Sequence, residues 1–346
     1  IVGASSGQGT VNIIGNFTSG GHFGDLSASG ASDLEQINIS KGNTFTLSAG
    51  HNASATRMNI NGTVTAQGSA NITSAVTMGD GSVLNLTNTG TGGGSTAARV
   101  TGAIDGYAGA TGTLNVNGTW STAGVIGATR AIAAINLDSD NDTASHTYTF
   151  AHNVNATTIT LGTNDAQSSN TTLAISAAIT VTGDIVSSGN ASIAGILDIN
   201  ENTIFVDNIG TSSAAIERIT VITGKTATFK DSIYAGNITL ETAGTASTSA
   251  AFAFNGTANT AYTVTGKIDG QEFGHGSITV NTGNVTFSSA IGSNMDLNTV
   301  TVADDAEMAI SNNISANGTI SVVGTLDVNA AVTLHTGGIN IGENAE

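Results

Sequence analysis

Apolar and polar residues alternate along most of this chain, in short runs separated by glycine and asparagine. Residues Thr113–Asn117 read TLNVN, and residues Thr325–Asn329 read TLDVN. Such alternation places the apolar side chains on one face of a β-strand and the polar side chains on the other face. Patterns with helical period are nearly absent. The sequence therefore predicts an all-β protein whose short strands are each buried on one face.

Tight corners are indicated between the runs. Asn-Gly pairs begin at Asn61, Asn117, Asn255 and Asn317, and this dipeptide favours turns because glycine reaches positive φ without steric cost. Short strands and frequent corners are typical of a parallel β-helix, with coils of about 20 to 25 residues that rise about 4.8 Å each. Antiparallel sandwiches also have short strands and Asn-Gly hairpins, and they are the alternative.

One stretch of sequence occurs four times. Copies begin at Phe23 (FGDLSASGASDLEQINI), Ile126 (IGATRAIAAINL), Ile209 (IGTSSAAIERITV) and Ile291 (IGSNMDLNTVTV), and the last three are about 83 residues apart. A long fixed period is typical of solenoids, in which each unit buries its apolar face against its neighbours. We therefore predict one continuous β-solenoid over residues 1–346. Its approximate repeats are 1–99, 100–183, 184–263 and 264–346.

A second motif recurs with the first. It reads VTGAIDG from Val100 and VTGKIDG from Val264, and a shorter form, VTGDI, begins at Val181. The two full copies follow Gly/Thr/Ala-rich insertions near residues 87–98 and 242–261. We predict that these insertions are surface loops that decorate the solenoid.

Composition supports an ordered β-protein. Proline is absent and charged residues make up only 10% of the chain, whereas disordered chains are usually rich in both. A strand ladder needs nearly every backbone N–H group, which proline lacks. Aromatic residues make up only 4%, so a core of stacked small aliphatic side chains is favoured over a sandwich core. Cysteine is also absent, which excludes disulfides and thiolate metal sites.

The charge of the chain limits its partners. The formal net charge is −17 and there are only eight basic residues, which argues against nucleic acid and anionic membranes as partners. No apolar run approaches the roughly 20 residues of a membrane-spanning helix, so no transmembrane segment is predicted. Ile1 leads directly into a Gly/Ser-rich pattern, and we expect the chain to be a processed piece of a longer precursor.

One acidic cluster has the spacing of a cation-binding loop. Asp138, Asp140 and Asp142 place side-chain oxygens at alternating positions, as in loops that wrap calcium. Asp304 and Asp305 fill the corresponding corner of the last repeat. These five residues are the candidate calcium ligands, and a solvated acidic corner without a metal is the alternative. No cofactor is required by any other motif.

Candidate catalytic groups are scattered. No Gly-x-Ser-x-Gly elbow occurs, and none of the six histidines pairs with another at metal-ligand spacing on one strand face. Polysaccharide-cleaving enzymes need paired carboxylates with basic or aromatic platforms, but Trp120 stands alone. Phe45, Phe150 and Phe229 recur in one repeat position and are predicted to form a core stack. We therefore expect no enzymatic activity.

The motifs IGxxxAIxxIN(L/V), VTGAIDG and GTLNVNG resemble those in passenger regions of large bacterial autotransporter and surface-layer-like proteins, especially the rickettsial outer-membrane protein B type. The resemblance implies a right-handed parallel β-helix displayed on the cell surface. We therefore expect an extracellular structural protein that assembles with itself into a surface layer, fibre or coat. The alternatives are an adhesin that binds host receptors or cell-surface glycans and, more remotely, a polysaccharide-acting enzyme or phage tailspike.

Overall fold

The computed structural model describes residues 1, 7–24, 33–88, 97–138, 145–162, 171–188, 193–242, 249–329 and 331–342. These residues form strands and turns and contain no helix, which confirms the all-β prediction. None of them forms a helix with the length and apolar character that a membrane crossing requires. The chain divides into two compact units, Ile1–Thr172 and Leu173–Glu346.

The first unit contains short strands separated by turns. They are β1 (Thr10–Ile13), β2 (Phe17–Thr18), β3 (Leu34–Ile39), β4 (Thr44–Leu47), β5 (Asn52–Ile60), β6 (Thr63–Gln67), β7 (Asn71–Met78), β8 (Val83–Thr87), β9 (Arg99–Val100), β10 (Ile104–Gly106), β11 (Thr113–Val116), β12 (Trp120–Ser121), β13 (Ile132–Leu137), β14 (Thr147–Phe150) and β15 (Val154–Leu161). Strand β16 (Thr172–Ile175) begins on the last residue of this unit.

The second unit has the same construction. Its strands are β17 (Ile179–Ser187), β18 (Ile193–Ile199), β19 (Thr203–Phe205), β20 (Ala215–Val221), β21 (Thr226–Phe229), β22 (Ile233–Leu240), β23 (Ala251–Asn255), β24 (Ala261–Gly270), β25 (Ser277–Phe287), β26 (Thr299–Val302), β27 (Ala306–Ile310), β28 (Ile314–Val322), β29 (Thr325–Val328) and β30 (Leu334–Ile341). The longest, β25, pairs with four other strands.

Pairing between the strands named above is parallel, and the strands stack in about 13 coils. The one described antiparallel bridge, Thr211 with Ala214, lies within a corner. The predicted β-solenoid is therefore confirmed, and the antiparallel sandwich is excluded for these residues. Coil length varies more than predicted: Met308 aligns with Leu326, 18 residues on, and Ile238 aligns with Ile268, 30 residues on. The period of about 83 residues and the repeat boundaries stay predictions.

The segment near 242–261 is not simply a surface loop, because it contains β23, in which Phe252 and Phe254 are buried. Residues 89–96 and 243–248 of the two insertions lie outside the described residues.

The core lies inside the coils and follows the alternation in the sequence. In β17 buried and partly exposed residues alternate without interruption, and Ile179, Val181 and Ile185 are among the buried ones. Because the strands are parallel and in register, each buried side chain lies beside the equivalent side chain of the next coil. The apolar interior is thus built by columns of like residues.

Aromatic residues form such columns. In the second unit the rings of Phe205 and Phe229 are 5.3 Å apart and stacked, those of Phe229 and Phe252 are 4.8 Å apart, and Phe287 follows Phe252 edge to face at 6.2 Å. Phe45, Phe150 and Phe229 are all fully buried. The predicted core position of these three residues is therefore confirmed. Stacking with a neighbouring ring is described for Phe45 and Phe229.

Candidate functional site

The fourfold repeat marks one kind of corner. The first residue of each copy is buried, and it bridges to the following coil in parallel orientation. The bridged pairs are Phe23 with Ala53, Ile126 with Val154, Ile209 with Ile233 and Ile291 with Ile314. Each copy continues with a glycine whose φ lies between 68° and 75°. The recurring sequence thus corresponds to a recurring local structure.

Only glycine fits the second position of this corner. A Cβ atom on Gly127 would overlap the carbonyl oxygen of Asn155 on the next coil, and one on Gly210 would overlap the carbonyl oxygen of Tyr234. The positive φ adds a further penalty for any other L-residue. The same overlap is found at Gly24 and Gly292. The motif is therefore explained by close approach between coils.

The VTG motif lies one coil before this corner and contacts it directly. Ile104 of VTGAIDG bridges to Ile126, and Ile268 of VTGKIDG bridges to Ile291. The following aspartate caps the corner: Asp105 Oδ1 accepts a hydrogen bond from the backbone N–H of Thr129 at 2.9 Å. Two motifs that are separate in the sequence therefore form one contact between neighbouring coils.

A serine–aspartate bond recurs at the corners of the first and fourth copies. Ser54 Oγ donates to Asp33 Oδ1 at 2.7 Å, and Ser315 Oγ donates to Asp296 Oδ1 at 2.6 Å. In both copies a buried leucine follows the aspartate. This contact also joins successive coils.

His335 adds a third group to the Ser315–Asp296 pair. Its Nδ1 lies 2.9 Å from Ser315 Oγ and 3.5 Å from Asp296 Oδ2. In a hydrolytic triad the serine proton goes to the histidine and the aspartate orients that histidine. Here the hydroxyl donates to the carboxylate, and Ser54 and Asp33 make the same bond in the first copy. We interpret this cluster as a structural contact.

The candidate calcium ligands have different environments. Asp138 is buried, has a positive φ of 62°, and accepts a hydrogen bond from Thr171 Oγ1 at 2.6 Å. It is therefore not part of a solvated corner. Asp140 and Asp142 lie outside the described residues, and Asp304 and Asp305 are exposed in the turn between β26 and β27.

Within the described ranges no group of three or more His, Cys, Asp or Glu side chains is placed to hold a metal ion. Two histidines do meet: the rings of His22 and His51 are 5.6 Å apart. His22 Nδ1 accepts a hydrogen bond from the N–H of Asn52, and His51 Nδ1 pairs with Ser19 Oγ. The sequence did not indicate this contact, because the two residues lie on successive coils whose spacing is irregular. Calcium binding at the five aspartates stays a prediction.

Asparagine ladders run along the outer surface of the first unit. Asn115 Nδ2 donates to Asn85 Oδ1, and Asn136 Nδ2 donates to Asn115 Oδ1, both at 2.8 Å. Stacked amides of this kind bond from coil to coil, as in cross-β structures. A second ladder includes Asn38 and Asn59 and lines a groove that also contains Tyr107. This groove is the candidate binding site of the first unit.

No protein-family model, no curated protein and no solved structure matches this chain. Its class is therefore defined by the fold: it is a β-solenoid with parallel, in-register strands. Because this fold carries many functions, the function has to be inferred from the contacts described above.

Proposed function

We propose that this chain is an extracellular structural protein that forms or contributes to a surface layer, fibre or coat. One observation carries the proposal: the recurring motifs of the sequence are used for contacts between coils. The corner glycines, the aspartate caps and the columns of phenylalanine and asparagine all join one coil to the next. A scaffold requires stable contacts between neighbouring coils, and these motifs provide them.

The composition supports a location outside the cell. A net charge of −17 keeps a long apolar-cored chain soluble. The resemblance of the corner motifs to bacterial surface proteins points in the same direction. In this proposal the principal partner of the chain is another copy of itself.

The first and last described strands each leave one backbone edge to which a further coil, of this chain or of another copy, can add. Among the described residues, β1 pairs only with β3, and β30 pairs only with β28. Ile341 of β30 is 65% exposed, whereas Val322, its partner on β28, is buried. An unpaired strand edge with exposed apolar side chains readily accepts another strand.

The side-chain pattern of the two edges matches. Residues 339–341 read Ile-Asn-Ile and residues 11–13 read Val-Asn-Ile. In β1 this pattern stacks in register on Ile37–Ile39 of β3, and the amide of Asn38 donates to Asn12 Oδ1 at 2.8 Å. Parallel addition of β30 from another copy would continue both the apolar column and the asparagine ladder.

Sedimentation velocity and electron microscopy of the purified chain test the proposal. We expect concentration-dependent assemblies, and we expect Ile341→Lys to suppress them because it places a charge at the edge. Ile204→Lys is the control, since Ile204 is partly exposed on β19, which pairs with strands on both sides. Dispersed monomers at high concentration, with and without calcium, would contradict the proposal.

A further inference from the structure

A groove of about 350 Å³ crosses four successive coils of the first unit. Its walls carry amides and hydroxyls from the ends of β3, β5 and β7, and one aromatic ring from the turn that follows β10. The residues that matter are Asn38, Ser40, Asn59, Asn61, Thr77 and Tyr107. None of the described lining residues is charged.

The amides of the groove are held by the ladder beneath them. Asn38 Oδ1 accepts hydrogen bonds from Gln36 Nε2 at 2.6 Å and from Asn59 Nδ2 at 2.9 Å. On the next coil Thr77 takes the position of Asn59 in the register. The groove therefore presents a fixed column of polar groups, so a ligand would lose little affinity to the cost of ordering them.

A glycine provides the space for a further amide. A Cβ atom on Gly79 would overlap Oδ1 of Asn61. Asn61 is exposed, and its backbone N–H donates to the carbonyl of Ile39 at 2.9 Å. The observed position of the Asn61 side chain therefore requires glycine at position 79.

Tyr107 is exposed although its backbone is firmly anchored. The residue is 71% exposed, while its N–H donates to the carbonyl of Met78 at 2.8 Å. Thr111 Oγ1 donates to the same carbonyl at 2.8 Å and closes the turn. An exposed aromatic side chain on a fixed turn is an arrangement that favours binding over core packing.

We propose that this groove binds a neutral oligosaccharide. Sugar hydroxyls both donate and accept hydrogen bonds, as do the asparagine amides and the Ser40 and Thr77 hydroxyls, and the C–H face of a sugar ring packs on an aromatic ring such as that of Tyr107. An uncharged lining on a chain of net charge −17 disfavours acidic glycans. This binding activity goes beyond the scaffold role and does not depend on it.

Isothermal titration of the full chain with four hexasaccharides tests the inference. The neutral probes are cellohexaose, laminarihexaose and mannohexaose, and the acidic probe is hexagalacturonate. We expect at least one neutral probe to bind. Hexagalacturonate should bind at least about tenfold more weakly, because the groove offers its carboxylates no positive charge; tenfold corresponds to about 1.4 kcal/mol. Tyr107→Ala should weaken binding about tenfold, whereas Tyr107→Phe should retain most of it because the ring remains.

Two further variants separate binding from stability. Gly79→Ala should weaken binding by displacing Asn61, and Phe273→Ala should leave it unchanged, because Phe273 is an exposed aromatic residue of the second unit. Unfolding curves of each variant report the fold independently. The inference is overturned if no neutral probe binds at millimolar concentration, if hexagalacturonate binds best, or if Tyr107→Ala binds as well as the unaltered chain.

Discussion

Asp269 holds Asn294 of the next coil through both of its carboxylate oxygens. Oδ1 accepts the backbone N–H of Asn294 at 2.9 Å, and Oδ2 accepts its side-chain amide at 3.0 Å. Asp105 makes the equivalent contact with Thr129 through a single hydrogen bond. The VTG and corner motifs are thus connected by the same device in both units.

Removing these caps should destabilise the two units unequally. We expect Asp105→Ala to lower the free energy of unfolding by about 1 kcal/mol, as for other lost caps, and Asp269→Ala to lower it by about 2 kcal/mol because two bonds are lost. Denaturant titration gives the totals. Hydrogen exchange at the N–H of Asn294 gives the local effect, and unchanged protection there in Asp269→Ala would refute the capping role.

The corner glycines should tolerate no side chain. Gly127→Ala should destabilise the first unit by clearly more than Gly42→Ala. Both glycines have positive φ, at 69° and 78°, but a Cβ on Gly42 would meet open space. Strain alone costs about 1 to 2 kcal/mol, so the excess measures the overlap with Asn155. Equal losses in the two variants, measured by chemical denaturation, would show that close approach between coils is not what requires glycine.

The phenylalanine column should contribute strongly to stability. Phe229 is buried between Phe205 and Phe252, and Phe229→Ala should cost about 3 to 5 kcal/mol through lost burial and the cavity left behind. Phe273→Ala, at a residue that is 58% exposed, should cost less than about 0.5 kcal/mol. Thermal unfolding compares the two variants, and a small loss at Phe229 would contradict the packing described here.

The asparagine ladder should be weakest when its middle residue is removed. Asn115 bonds to both Asn85 and Asn136, whereas Asn136 makes one described ladder bond. Since a hydrogen bond contributes about 1 kcal/mol, Asn115→Ala should cost about twice as much as Asn136→Ala. Denaturant midpoints of the two variants measure this ratio. A larger loss in Asn136→Ala would argue against coupling through the amides.

The solenoid was predictable because its two local signals are strong. Alternation over strands such as Thr113–Val116 fixes which side chains are buried, and the repeated corner sequence marks where coils approach each other. The partners along each column were not predictable, because coil length changes from one turn to the next. Phe252 and Phe287 were therefore not assigned to the column of Phe229 from the sequence.

The same variation in coil length prevented prediction of the candidate binding groove from the sequence. Its residues come from four segments between Asn38 and Tyr107, and no motif connects them. The only sequence signal for the groove was Tyr107, the aromatic residue directly after VTGAIDG. Its position beside the other groove residues becomes evident only when the coils are aligned. The candidate calcium ligands illustrate the opposite case: spacing suggested a shared environment, but Asp138 is buried whereas Asp304 is exposed.

X-ray diffraction from aligned assemblies of the purified chain tests the central claim most directly. If copies add their coils end to end as a structural material, the pattern should contain a reflection at about 4.8 Å along the assembly axis, which is the spacing of hydrogen-bonded strands. Assemblies in which this reflection lies perpendicular to the axis, or a chain that never assembles, would contradict the account.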